Sequence, residues 1–224
     1  MKQLVIFDLD GTLLNTIDDL GTATNHALRV YGYPEHSLAI YPKLVGDGVT
    51  RLIERALPED ARQPETIEKV RNCFKEYYDE HQADLTQPYP GITEMLHELT
   101  SLGVKVAVAS NKYQAAVVSL IRHYFPDIDW KVIEGQKEGI PTKPDPSIVF
   151  EILAKCPTRK AKVLYVGDSG VDMETARRAC VDSCGVSWGF RSVRELRDNH
   201  ADNIADTPAD IVAIVKRPGL ELDA

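Results

Sequence analysis

No stretch of this sequence stays apolar for the length a bilayer crossing needs. Cysteine is sparse: Cys73, Cys156, Cys180 and Cys184, of which only Cys180 and Cys184 stand close together. With no second close pair and no histidine cluster nearby, neither a zinc site nor a disulfide framework is indicated, and free thiols are expected. His26, His36, His81, His97, His123 and His200 show no paired metal spacing and are expected at the surface or in packing. Positive charge is in deficit, with 26 Lys and Arg against 34 Asp and Glu and a net charge of −8. That balance argues against non-specific nucleic-acid binding and against anionic membrane surfaces. It still permits a small anionic ligand, because a few local cations and a metal can reverse the sign inside a pocket. Met1 leads almost directly into a strand-like run rather than a secretory leader, so a cytoplasmic location is expected. Repeats and low-complexity segments are absent, and the acidic end Glu221 to Ala224 is expected to fray.

What is present suffices for a real core: 224 residues, 43% of them apolar, enough for one large domain or a core domain with a smaller companion. Leu4-Val5-Ile6-Phe7 reads as a buried strand, too short for a helix. Asp8 and Asp10 follow it. Residues two apart on an extended chain project to one side, so both carboxylates start from one face at the strand's carboxyl end. Open parallel sheets place their ligands there. Two close carboxylates resist ionising together unless a cation or a shared proton relieves them. Gly11 allows a sharp turn, and Thr12 offers a hydroxyl beside a charged ligand.

From Thr16 to about Gln82 the pattern is helical. Helices are expected over Asp18–Tyr31, through Leu52–Leu57, and over Pro64–Gln82, with a glycine turn at Gly46-Asp47-Gly48 between the first two. Pro88-Tyr89-Pro90-Gly91 breaks the pattern as a linker would. Beyond it strands alternate with helices: strands at Val104–Ala109, Val132–Ile133, Val163–Val166, Cys184–Ser187 and near Ile204, helices between them and at Pro208–Val215. Alternation of this kind means an α/β fold, a mostly parallel sheet covered on both faces. The helical stretch is then an insertion after the first strand. The expected division is a Rossmann-like core of residues 1–15 and 88–224 and an all-helical cap of residues 16–87.

Three further groups fall at the right places. Ser110-Asn111 follows the Val104–Ala109 strand and could hold an oxyanion by hydrogen bonds, although Ser-Asn is also a common turn pair. Lys143 stands between Pro141 and Pro144, which restrict its backbone; a preset ammonium can neutralise a substrate charge, although a solvated loop lysine would look the same. Gly167-Asp168 follows the Val163–Val166 strand, with Asp172 at the start of the next helix, where an acid can also be a simple cap. Asp8, Asp10 and Asp168 together would offer the hard oxygen donors that magnesium prefers.

With these four groups in view, the chain resembles the haloacid dehalogenase superfamily, and within it the phosphatases similar to phosphoglycolate phosphatase. The D-x-D-G-T-L motif stands at Asp8 to Leu13, followed by Ser110, Lys143, and Gly167-Asp168 with Asp172. Members commonly carry Asp-Ser or Asp-Thr after the first motif; here the pair is Asn15-Thr16. The resemblance implies a nucleophilic Asp8 that forms an aspartyl-phosphate, and Asp10 as the acid and base. It implies Mg2+ held by Asp8, the Asp10 carbonyl and Asp168, with Asp172 in support. Thr12, Ser110, Asn111 and Lys143 are the implied phosphate contacts. The cap turn of Gly46, Asp47 and Gly48, with Arg51 or Lys43 near it, is expected to reach the far part of the substrate. Asn15-Thr16 and Pro90 mark the expected hinges. Tyr77 and Tyr78 beside Phe74 are expected to pack, as are Trp188, Phe190 and Arg191.

The expected function is hydrolysis of a small phosphorylated metabolite by a monomer or homodimer, with 2-phosphoglycolate the first choice. A phosphosugar mutase like β-phosphoglucomutase and a pyrophosphatase are the enzyme alternatives. A phospho-signalling receiver domain would carry its aspartate on a later, central strand, where this chain offers Ser110. A silent binding protein should have lost Asp8, Asp10 or the metal-site acids.

Overall fold

The centre of the fold is β1 (Leu4–Phe7), every residue of which is buried. Its alternation divides the core. Leu4 and Ile6 pack with Ala107, Ala109, Val163 and Tyr165 on one face of the sheet. Val5 and Phe7 pack with Val106, Val108, Leu164 and Val166 on the other. Each such side chain contributes roughly 1.5–3 kcal/mol on burial. That two-sided burial is why the run is uniformly apolar rather than alternating.

In the computed structural model, residues 1–218 are described; the expected fraying of Glu221 to Ala224 lies outside them. Along the chain, β2 (Leu14–Asn15) is followed by α1 (Ile17–Val30), α2 (Tyr41–Leu44), α3 (Val49–Ala56) and α4 (Pro64–His81), then β3 (Gln87–Pro88). Next come α5 (Ile92–Ser101), β4 (Lys105–Tyr113), α6 (Gln114–Tyr124), β5 (Trp130–Gln136), α7 (Ser147–Lys155), β6 (Val163–Gly167) and α8 (Gly170–Ala179). The described chain closes with β7 (Asp182–Val186), α9 (Val193–Asp198), β8 (Asn203–Ala205) and α10 (Pro208–Lys216). Six strands form one sheet in the order β5-β4-β1-β6-β7-β8, all paired in parallel. The fold is thus a mostly parallel, Rossmann-like α/β sheet with helices on both faces.

The helices from α1 to α4 bury a cluster of their own, built on Leu28, Tyr41, Ile53, Val70, Phe74 and Tyr78. The chain leaves and re-enters the sheet region along one antiparallel ladder, Leu14 opposite Pro88 and Asn15 opposite Gln87. The return crossing is therefore at Gln87–Pro88, ahead of the Pro90 position the sequence suggests. Proline fits there because the ladder has only two strands and needs no second set of hydrogen bonds.

Two strands run longer than the sequence suggests. β5 spans seven residues, not two, because as an edge strand it carries Lys131, Glu134 and Gln136 and loses its apolar signature. β4 runs on through Ser110, Asn111 and Lys112, but its register with β5 shifts between Ala109 and Tyr113. An irregularity of that kind unpairs the strand and re-aims its side chains.

Candidate active site

Four strand ends and loops converge on one point. Asp8 lies one residue past β1, its backbone N–H still bonded to the Val166 carbonyl at 2.9 Å. The next turn is tight: the Leu9 carbonyl accepts from the backbone N–H groups of Thr12, Leu13 and Leu14. Gly11 makes the turn possible with φ +83°, and a Cβ there would lie 2.3 Å from an Asp168 carboxylate oxygen. Asp168, just past β6, is held from the other side by the Phe190 N–H at 2.7 Å.

Lys143 is the hub. Its Nζ is 2.9 Å from Asp8 Oδ1, 2.7 Å from Asp172 Oδ1 and 3.0 Å from the Ala109 carbonyl, with the side chain only 2% exposed. Asp172 is fully buried and has no free edge. Its second oxygen accepts from the Ser169 N–H and Oγ, closing a capping box at the start of α8. Its place in the site is therefore behind Lys143, fixing the ammonium against Asp8.

The charge balance is lopsided. Asp8, Asp168 and Asp172 each present an oxygen within 4.8 Å of the others, and Lys143 is the one cation among them. Burial pushes the Asp8 carboxyl up to about 7, against the pull of Lys143 and with the push of Asp172. Burial, then Asp172 and Asp8, hold Asp168 well above the carboxylate range. For Lys143 burial works against the charge, but Asp172 and Asp8 outweigh it and the ammonium is held firmly protonated. A set of hard carboxylate oxygens with uncompensated negative charge fits a small divalent cation, which would relieve that strain.

Above this floor lies a cavity of about 60 Å³, lined by Asp8, Asp10, Ser110, Lys112, Lys143 and Asp168 below and by Leu20, Val49, Leu52, Phe74, Tyr78 and Phe190 around it. On the measure by which one water needs about 10–15 Å³, this holds a handful of waters.

The sequence-derived site residues sort as follows. Asp8, Asp10, Ser110, Asn111, Lys143 and Asp168 all reach the cavity. Asn111, expected on phosphate, instead has its side chain engaged in protein contacts. Its Oδ1 accepts from the Lys143 N–H at 2.8 Å, and its Nδ2 donates to the carbonyls of Gly46 at 3.0 Å and Lys143 at 3.2 Å. Thr12 is off the cavity; its hydroxyl is buried without a partner among the described residues. Gly46 and Gly48 line the cavity, but Asp47 pairs with Arg55 and the exposed Arg51 pairs with Glu54. Side-chain pairing within α3 and its approach draws both away from the substrate space.

Several lining residues were not foreseen in these places. Phe74, Tyr78, Phe190 and Arg191 border the cavity rather than only packing. Arg191 also bridges to the helical segment, donating to the carbonyls of Pro42 and, at 2.8 Å, Val45. Trp188 does pack, with its Nε1 donating to the Thr12 carbonyl at 3.1 Å. Lys112 was missed altogether. The signal was slight: it stands two residues after Ser110, past the expected strand end at Ala109, where the strand runs on through an irregular stretch.

These features define a hydrolase site on an α/β sheet, and the family is recognisable: residues 5–186 match the haloacid dehalogenase-like hydrolase family, to which the chain belongs. A phosphoglycolate phosphatase of Vibrio cholerae is 34% identical over 222 residues, covering 94% of this chain and 92% of that protein. A second phosphoglycolate phosphatase, from Aquifex aeolicus, is 30% identical and covers 95% of this chain and 96% of its own length. The crystal structure of a proposed phosphoglycolate phosphatase from Lactobacillus delbrueckii superposes with a TM-score of 0.89 at 33% identity, covering 96% of this chain and 99% of that one. The chain is accordingly an enzyme of the phosphatase type, a phosphoric monoester hydrolase.

Proposed function

We propose that this enzyme hydrolyses a small organic phosphate monoester, with 2-phosphoglycolate the leading substrate, by way of an aspartyl-phosphate on Asp8. The observation that carries this reading is the Asp8 carboxylate, 2.9 Å from the Lys143 ammonium, on the floor of a small cavity that also holds Asp10, Ser110 and Asp168. The names of relatives that match this chain over nearly their whole length support the choice of substrate.

A carboxylate oxygen of Asp8 attacks phosphorus and the ester P–O bond breaks, its electron pair leaving on the substrate oxygen. Asp10 delivers a proton to that oxygen. It then takes one from the water that attacks the aspartyl-phosphate, releasing inorganic phosphate and restoring Asp8. Ser110 Oγ accepts from the Lys112 N–H at 3.2 Å and lines the cavity, where its O–H can donate to a phosphoryl oxygen. Lys143 neutralises charge on Asp8 before attack and on the phosphoryl group during transfer. Magnesium, held by Asp8, the Asp10 carbonyl and Asp168, would supply further neutralisation of the phosphoryl oxygens. Asp172 acts through Lys143.

Residues 16–87 serve in this reading as a cap over a core of residues 1–15 and 88–224. Closure excludes bulk water from the intermediate. A cytoplasmic monomer or homodimer completes the proposal, with neither nucleic acid nor membrane as partner. No helix of the described residues is long and apolar enough to cross a membrane.

The test is phosphate release from a panel of 2-phosphoglycolate, sugar phosphates, nucleotides and pyrophosphate, with magnesium and with EDTA. Magnesium-dependent release with 2-phosphoglycolate far ahead in kcat/KM is the expected result. A sugar phosphate leading the panel, or release unaffected by EDTA, would contradict it.

A further inference from the structure

One cation in the cavity is left over from the phosphoryl chemistry. Lys112 is buried, its side chain 4% exposed, and its Nζ reaches both oxygens of Asp10, at 2.9 and 3.1 Å. The ammonium lies 4.8 Å from the centre of the Tyr78 ring. Tyr78 is stacked on Phe74, and Leu20, Val49 and Leu52 line the same cavity; Lys112 is ion-paired with Asp10, whose Oδ1 also accepts from the Thr16 hydroxyl at 2.7 Å. Arg191, the other cation bordering the upper cavity, is engaged with the Pro42 and Val45 carbonyls of the helical segment. Lys112 therefore stands where it can exchange one anionic partner for another without leaving its pocket.

Its position relative to Asp10 says which anion. Asp10 must come within hydrogen-bond distance of the ester oxygen to protonate it. In a 2-phosphorylated carboxylic acid, the carbon bearing that oxygen also bears the carboxylate. A carboxylate so placed falls beside Asp10, in the space Lys112 already serves. We infer that Lys112 is the specificity-determining residue, its ammonium receiving the α-carboxylate of the substrate in exchange for Asp10. The inference rests on the phosphatase reading above and deepens it. The same exchange lets Asp10 turn to the leaving oxygen, so recognition and readiness are coupled. A substrate without the carboxylate would draw Asp10 away and leave a buried ammonium unpaired, a strong penalty.

The test compares kcat/KM for 2-phosphoglycolate and for ethyl phosphate, which lacks only the carboxylate function. It uses the intact, magnesium-loaded protein as wild type, Lys112→Met and Lys112→Arg. The ratio of the two constants does not depend on how much of a variant is folded. Wild type is expected to favour 2-phosphoglycolate by about 100-fold or more, the range open to a site built around one polar group. Lys112→Met should lose at least about tenfold of that ratio, chiefly through KM of the carboxylate ester, and Lys112→Arg should keep most of it. A ratio unchanged in Lys112→Met would overturn the inference alone and leave the phosphatase intact, with Lys112 reduced to positioning Asp10. A wild type that releases phosphate from both esters without preference would overturn the substrate assignment and the inference together.

Discussion

Two glycines without side chains of their own decide where Asp168 sits. A Cβ on Gly189 would lie 2.2 Å from the Asp168 Cβ and 2.5 Å from the Gly11 carbonyl. Gly189→Ala leaves an allowed backbone but forces Asp168 aside. The expected outcome is a fold that survives and a magnesium requirement raised by about tenfold or more, as for loss of ligand orientation. Titrating activity with magnesium checks it, and an unchanged magnesium half-saturation would refute it. At this scale the candidate site was legible because most of its polar residues follow an apolar strand run. Asp8, Asp10, Ser110 and Asp168 could be placed that way, and Lys143, on the loop before α7, by the prolines that restrict its backbone. Thr12 and Asn111 were assigned too much, because a hydroxyl or amide beside a motif looks the same in sequence whether it faces ligand or protein. Lys112 was hidden because it follows the pair that drew attention.

Between elements, the crossing region is pinned by one side chain. Asp19, in the first turn of α1, is buried and accepts from the Leu85 N–H at 3.0 Å, the Thr86 N–H at 2.8 Å and the Thr86 hydroxyl at 2.8 Å. Asp19→Ala strands those donors and should cost about 2–4 kcal/mol, the penalty for leaving buried donors unpaired. Denaturant unfolding measures this, and a loss below about 0.5 kcal/mol would argue against the anchor. Glu134 on β5 is the acid-sensitive joint of the sheet edge. Burial alone would raise its carboxyl, but Lys137 and Lys155 overcome that and hold it below the usual glutamate value. A lowered folded value means stability fully present above the unfolded value near 4.5 and lost as pH falls through the folded one. With both lysines largely exposed, the effect is about 1 kcal/mol or less. Glu134→Gln should flatten the fall in melting temperature below pH 5. An identical acid profile would show that the pairs contribute nothing. Neither device was visible in the sequence, since both depend on residues that folding brings together from distant positions.

Across the whole molecule, the sheet could be read in advance because β1, β4 and β6 are buried on both faces and advertise it with uninterrupted apolar runs. The helical insertion was equally readable from its spacing and its proline stop. The edge strand β5 and the short ladder of β2 with β3 were not, because polar residues and two-residue lengths carry no periodicity. The core should be correspondingly intolerant at its centre. Ile6→Ala, at a site with no exposure, should destabilise by about 2–5 kcal/mol, read from denaturant unfolding. A cost under 1 kcal/mol would mean the sheet centre repacks freely, against the close packing seen around it.

The proposed chemistry rests on a single carboxylate, that of Asp8. The most direct measurement is phosphate release from 2-phosphoglycolate, with saturating magnesium, by wild type and by Asp8→Asn shown to be folded. An amide in place of the nucleophile should reduce turnover by on the order of a thousandfold or more, as expected when a covalent step is removed. Turnover within about tenfold of wild type would contradict covalent catalysis by Asp8 and point to direct attack by water.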